Sequence, residues 1–343
     1  MTDVIDGNGT ATGFIDANID TGNVIDGNDL PYVPPVEPPC IAPVDSRQLW
    51  LESLDGSVVV QLNTVEQLLL GGATGLELPP LDVVTATTPG MPGSWLQEIN
   101  VLEREVFLPL EFASESSHAD FLANLAVLRG LIAGWDTITT GQTGTFRLVA
   151  QSVYGQRVLD VTYKDGWTGS LGAGNSGPQW EKIGLTLVAV DPYWRDRNPV
   201  ELRFTATQGP VFLGDGDNTN PWPRQISAST VIGNQMKVLV DGDVPVWPEV
   251  ELDGPVSEAT VTYPGTNVSI PTGVVDGQTF LLVSDPRARS ARLNGAVAWS
   301  KISLGATVAP LMPGVNTVNV EVGTSGTNTG LVLRWTPGHK SSW

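Results

Sequence analysis

The side chains able to do chemistry are few and scattered. Histidine occurs only at His118 and His339, which removes most arrangements that use imidazole for proton transfer or for holding a transition metal. His118 falls in the first turn of a predicted helix and reads as a solvated surface residue. Cys40 is the single cysteine, so no internal disulfide and no all-cysteine zinc site can form. A glycosidase needs two facing carboxylates with contrasting pKa values. The 37 Asp and Glu residues make chance pairs inevitable, and their spacing singles none out.

Three motifs invite a ligand and each departs from the pattern it suggests. Asp16, Asn18 and Asp20 match the first ligands of a calcium loop, but Gly22 comes one place late and Gly27 stands where the closing Glu belongs. Asp215-Gly216-Asp217-Asn218 is dense in hard oxygen ligands, yet the same residues make an ordinary tight turn. Gly172, Gly174 and Gly177 have G-x-G-x-x-G spacing, but Pro178 and a strand follow where a dinucleotide site needs a helix. Trp222, Trp247, Trp299, Trp335 and Trp343 could stack on sugar faces, although tryptophan more often fills a core or an interface. No catalytic, cofactor-binding or metal-binding residue is assigned, and the expectation is a protein that is not an enzyme.

Any such side chains must be positioned by β-structure. The chain has 343 residues, with 38 Gly, 26 Pro and only 16% charged residues, a mixture expected of many short strands joined by turns. No stretch approaches the roughly 20 consecutive apolar residues needed to span a bilayer, and the N-terminus lacks a basic start and apolar centre. The expectation is a soluble chain, not exported by that route. A formal net charge of −19 argues against nucleic-acid binding, which needs clustered Lys and Arg. It is compatible with a wall past which DNA slides without sticking.

Residues 1–45 contain eight Asp or Glu and no Lys or Arg. Val4-Ile5-Asp6-Gly7-Asn8, Phe14-Ile15-Asp16-Ala17-Asn18 and Val24-Ile25-Asp26-Gly27-Asn28 repeat every ten residues. Each unit joins two β-favouring residues to a turn signal. Three such units bury too little surface to fold alone, so the arm is either a solvated acidic tail or a segment completed by a partner. Pro34, Pro35, Pro38 and Pro39 make residues 31–43 an extended linker.

From Arg47 the pattern is globular. Leu49-Trp50-Leu51 and Val58–Leu62 flank Asp55-Gly56 as a strand pair, and residues 99–112 read as one long strand with Val106, Leu108, Leu110 and Phe112 on one face. Ser117 can cap a helix over 117–133 with Asp120 at its third position, Gly134 can end it, and Phe121, Leu125, Leu128 and Ile132 form its apolar stripe. Residues 144–152 and 156–163 form a hairpin around Tyr154-Gly155, and 180–190 forms another strand. A charged joint at Arg195–Pro199 marks a domain boundary. Beyond it the pattern predicts strands only, at 250–252, 259–263, 279–283, 291–293, 317–322 and 330–335, the spacing of a β-sandwich. The sequence thus divides into an arm and linker (1–45), a first β-sandwich domain (46–198) and a second (199–343).

This order resembles the distal tail protein family of long-tailed phages, the Dit-like siphophage tail proteins. The resemblance spans Arg47 to Trp335. It rests on the strand Arg104 to Phe112, the single helix, the hairpin ending in Val161-Thr162-Tyr163-Lys164-Asp165-Gly166, and Trp180–Leu187 closing at Asp191-Pro192-Tyr193-Trp194. Further on it rests on residues 248–254, Asp285-Pro286-Arg287, Leu293-Asn294-Gly295 and Leu311–Val318.

The resemblance implies a mainly β fold of two β-sandwiches, the first with one helix and a projecting hairpin, the second galectin-like. It implies a virion component at the distal end of the tail, a minor tail or baseplate protein. Copies, as a homohexamer, close into a ring that joins the tail tube to the hub. The implied partners are the chain itself, the tail tube protein, the tail hub or tail-associated protein and the tape-measure protein. DNA passes through the lumen without specific binding, and no cofactor or membrane is involved. The hairpin at 144–163 and the strand at 180–190 are the expected subunit contacts, the other reading being that either is simply core sheet. The acidic arm departs from the family pattern and is expected to clasp a neighbouring tail protein. A different reading is a carbohydrate-binding adhesion protein of the tail tip, and a third is a cell-wall hydrolase.

Overall fold

The computed structural model describes residues 47–64, 66–134, 144–169, 172, 174–205, 236–323 and 329–343. The ten-residue repeats, the Asp16 motif, Cys40, the proline-rich linker, Asp215–Asn218 and Trp222 lie outside the described residues.

The alternation seen from Arg47 builds one curled antiparallel sheet. Its order is Val59–Gln61, Gln48–Glu52, Thr145–Ser152, Gly155–Asp165, Trp180–Ala189, Arg104–Ala113 and Gln67–Leu69. The first and last of these are joined by a bridge between Asn63 and Leu68, and the Leu69 amide donates to the Leu62 carbonyl at 2.8 Å. The sheet therefore wraps around its own core, in which Leu51, Leu108, Leu148, Leu185 and Leu187 are fully buried. Val106, Leu108, Leu110 and Phe112 do share the buried face of their strand, as period-two counting requires.

The helix is His118–Ile132. Ser117 caps it, its Oγ accepting from the Asp120 amide at 3.1 Å, and Phe121, Leu125, Leu128 and Ile132 are buried against the sheet. A stripe at these spacings presents one side of a helix to the core.

The second body is a sandwich of two antiparallel sheets. One runs Val200–Thr205, Gly330–Trp335, Glu249–Asp253, Thr279–Val283, Ser290–Leu293 and Ala296–Val297; the other runs Met236–Val240, Gly314–Val322, Ala259–Tyr263 and Thr266–Ile270. Alternate residues of both, including Val250, Leu252, Phe280, Val318 and Leu333, form a core separate from the first. Among the described residues the expectation of strands only needs one amendment, a 3-10 turn at Trp299–Lys301.

One further expectation is corrected. Residues 99–112 are not one strand: Trp95–Val101 and Arg104–Ala113 are separate strands in different sheets. Val101 pairs outward with Leu81, whereas Arg104 turns back to pair with Ala189. The chain beyond Trp335 returns to the first sheet. Gly338–His339 pairs with Trp194–Asp196, which itself pairs with Gly155–Asp165 of the first sheet. Trp343 packs against the first core with the Arg47 guanidinium over its ring at 5.0 Å.

Candidate assembly interface

The residues expected to contact other subunits, 144–163 and 180–190, stand in the middle of the first sheet. Thr145–Ser152 is flanked by Gln48–Glu52 and Gly155–Asp165, and Trp180–Ala189 by Gly155–Asp165 and Arg104–Ala113. None is an edge strand of that sheet, although Val153 and Tyr154 at the turn between Thr145–Ser152 and Gly155–Asp165 are exposed. Both segments are strands of the core sheet.

The projecting hairpin is made by other residues. Leu81–Ala86 pairs with Trp95–Val101 as an isolated two-stranded sheet, with a bulge between Val84 and Thr85. Leu81 faces Val101, Val83 faces Ile99, and Thr85 faces Leu96. Because side chains alternate and the bulge shifts the register by one residue, Leu81, Val83, Leu96, Ile99 and Val101 line one face. All five are exposed, from 41% for Val101 to 61% for Leu96, and Leu78 and Leu102 beside the root are exposed too. An isolated hairpin is marginal in water, and a contiguous apolar face of this kind marks an interaction surface. Covering it is worth about 1 kcal/mol per half-exposed side chain before the cost of association.

The root of the hairpin is built tightly. Thr74 and Phe107 exchange backbone hydrogen bonds at 3.0 and 3.1 Å, and the Leu102 amide donates to the Pro80 carbonyl at 3.0 Å. Gly75, at φ +83°, lies so close to the Glu105 carbonyl and the Val106 Cα that any side chain would clash. Arg104 is fully buried. Its guanidinium donates to the carbonyls of Gly75 at 2.8 Å, Glu77 at 2.5 Å, Pro192 at 2.6 Å and Lys340 at 2.6 Å. Burial pulls its pKa down to about 10, opposed by Glu77 and Tyr193, so it stays charged at neutral pH.

Between the two β bodies lies a cleft lined by Arg147, Tyr193, Arg195, Trp247, Asp285 and Arg287, among others. Its cations are matched by acids. Asp191 accepts from Arg195 at 2.8 Å and from Arg287 of the second body at 3.0 Å, while buried Glu52 accepts from Arg197 at 3.0 Å and from the Trp50 indole at 3.1 Å. Burial alone raises the pKa of Asp191, but Arg195 and Arg287 outweigh it and hold the carboxyl below its ordinary value. Asp285 is lowered in the same way by Arg287.

The other sequence candidates do not converge. Trp247 and Trp335 both border this cleft, but Trp335 is buried in the second core. Trp299 is exposed on its 3-10 turn. His118 is exposed and contacts the Pro178 carbonyl, whereas His339 is buried with its Nε2 2.9 Å from Asp196. Gly177 lies in a two-residue strand before Trp180, with no helix following it. Among the described residues no three acidic, histidine or cysteine side chains gather as a metal site, and no helix is long and apolar enough to cross a membrane.

Sequence reasoning passed over the hairpin because it joined the end of the return strand, from Ile99, to Arg104–Phe112 as one strand. The signal that could have found it is the pair of turn glycines at Gly90 and Gly93 between two apolar runs.

Comparison with known proteins yields no matching family model and no matching curated protein. Solved structures do match. One chain of the phage P2 baseplate in its activated conformation with calcium is 11% identical, with a TM-score of 0.49, covering 84% of this chain and 98% of that one. The SPP1 Dit (gp 19.1) protein, described as a paradigm of the hub adsorption apparatus in phages infecting Gram-positive hosts, is 14% identical with a TM-score of 0.56. The match covers 85% of this chain and 99% of the SPP1 protein, so this chain carries the SPP1 Dit fold over nearly that protein's full length.

Proposed function

We propose that this chain is a non-enzymatic structural component of a long-tailed phage tail tip, a distal tail protein whose copies close into a hexameric ring around the DNA exit channel. In this reading residues 46–198 form the ring, 199–343 form a galectin-like domain beside it, and the arm at 1–45 clasps a neighbouring tail protein. The ring joins the tail tube to the hub, and its acidic surface lets DNA pass without sticking.

The observation that carries the reading is the apolar hairpin at 81–101 on a chain with the SPP1 Dit fold. A closed ring needs a head-to-tail contact between two different surfaces of the same chain. The hairpin supplies one. The other is a groove between the helix and the 53–58 turn, lined by Leu54, Val58, Val127, Gly130 and Leu131. Seating the first in the second removes both apolar surfaces from water.

The test is the mass of the full chain in solution and its appearance in negative stain, alone and mixed with tube protein. Rings of one fixed copy number are expected. A monomer at high concentration that forms no ring with tube protein overturns the reading. Val83→Asp on the hairpin and Val127→Asp in the groove should each abolish rings, and mixing the two should give dimers, since each pair then retains one intact contact.

A further inference from the structure

The hairpin root is held by residues from the other end of the sequence. Arg104, which starts the strand returning from the hairpin, donates to the Lys340 carbonyl at 2.6 Å. The Ser342 amide donates to the Leu76 carbonyl at 3.0 Å, and Ser341 Oγ donates to Glu77 at 2.8 Å. Arg157 of the first sheet reaches the Ser341 carbonyl at 3.0 Å. Ser342 itself is 1% exposed. These contacts grip 75–77, the segment that enters the hairpin.

The same residues are also gripped by the second body. The Asp243 and Val244 amides donate to the Gly338 carbonyl at 3.0 and 3.3 Å, and the Lys340 amide donates to Asp243 Oδ1 at 2.7 Å. Gly338 bridges to Val244, and at Gly242, with φ +111°, a side chain would run into the Gly338 backbone. So one six-residue segment is bonded to the 242–244 loop on one side and to the hairpin root on the other.

We propose that residues 338–343 form a strap that couples the second body to the hairpin, so that the 242–244 loop sets the order of the hairpin root through Lys340, Ser341 and Ser342. Asp243 is the positioning residue at the far end. The hydrogen bonds of the strap, those of its backbone together with those from Asp243, Arg104 and Ser341, are the only transmission needed, because each fixes an atom within one or two residues of the next. This coupling is a property of the single chain and stands whether or not the chain forms rings.

Amide hydrogen exchange on the full chain tests it. Asp243→Ala removes the acceptor for the Lys340 amide at an exposed position, without touching the hairpin. Exchange across 75–103 should speed up by about tenfold, while Arg104–Ala113 and Trp180–Ala189 keep their wild-type rates. Asp243→Asn retains the acceptor oxygen and should restore slow exchange at 75–103. Trp343→Ala, which loosens the strap from its other end, should give the same pattern as Asp243→Ala. The proposal is overturned if Asp243→Ala alters exchange only near its own loop, or raises it uniformly through the protein.

Discussion

The buried guanidinium of Arg104 donates to the backbone carbonyl of Lys340, a residue 236 positions away, at 2.6 Å. With Gly75, Glu77 and Pro192 as its other acceptors, one side chain ties the hairpin root, the joint between the β bodies and the strap. No carboxylate hydrogen-bonds to it among the described residues; its charge is answered by four carbonyl dipoles. That explains why burial is the leading influence on its pKa.

Arg104→Met leaves four carbonyls without this donor. A loss of about 3–5 kcal/mol is expected from urea denaturation, and a loss under about 1 kcal/mol would count against the clamp. Arg104→Lys should recover only part, because an ammonium gathers its donors on one atom and cannot span the acceptors.

Gly75 and Gly90 have nearly the same backbone torsion, φ +83° and +84°, but different surroundings. Gly75→Ala meets the Glu105 carbonyl, whereas Gly90→Ala meets nothing within 4 Å. Gly90→Ala should cost only the left-handed strain, about 1–2 kcal/mol, and Gly75→Ala clearly more. Equal losses in melting temperature would show that the root is loose enough to yield.

Acid should weaken the joint between the bodies. Asp191 and Asp285 are both held below the ordinary aspartate value of 3.8 in the folded protein. Their contribution is therefore complete above pH 3.8 and is lost as the pH falls through their lower folded values. Thermal unfolding followed downward from about pH 6 should show this loss. Asp191→Asn should lower stability at neutral pH and flatten the acid limb; an unchanged limb would place the titration elsewhere.

The two faces of the helix should respond differently. Leu128 is fully buried and Leu122 is half exposed. Leu128→Ala is expected to cost about 2–5 kcal/mol through lost contacts and the cavity left behind. Leu122→Ala should stay within about 0.5 kcal/mol. Comparable losses would mean that something covers the outer face of the helix.

The sequence by itself determined the local features. Alternation set the buried face of Arg104–Ala113, and the spacing of Phe121, Leu125, Leu128 and Ile132 together with Ser117 set the helix and its cap. Turn signals separated the strands of the second body. These are legible because their causes, side-chain periodicity and backbone capping, act within a few residues.

Only the tertiary structure decided the rest. The same alternation serves Thr145–Ser152 in mid-sheet and Leu81–Ala86 in open water, so periodicity could not say which pair projects. Nor could spacing place Arg104 against Lys340, since a carbonyl acceptor exists at every residue and carries no side-chain signature. Which strand finds a neighbour, and which cation finds four carbonyls, depends on how distant segments pack. That is fixed by long-range burial, to which no short window of sequence has access.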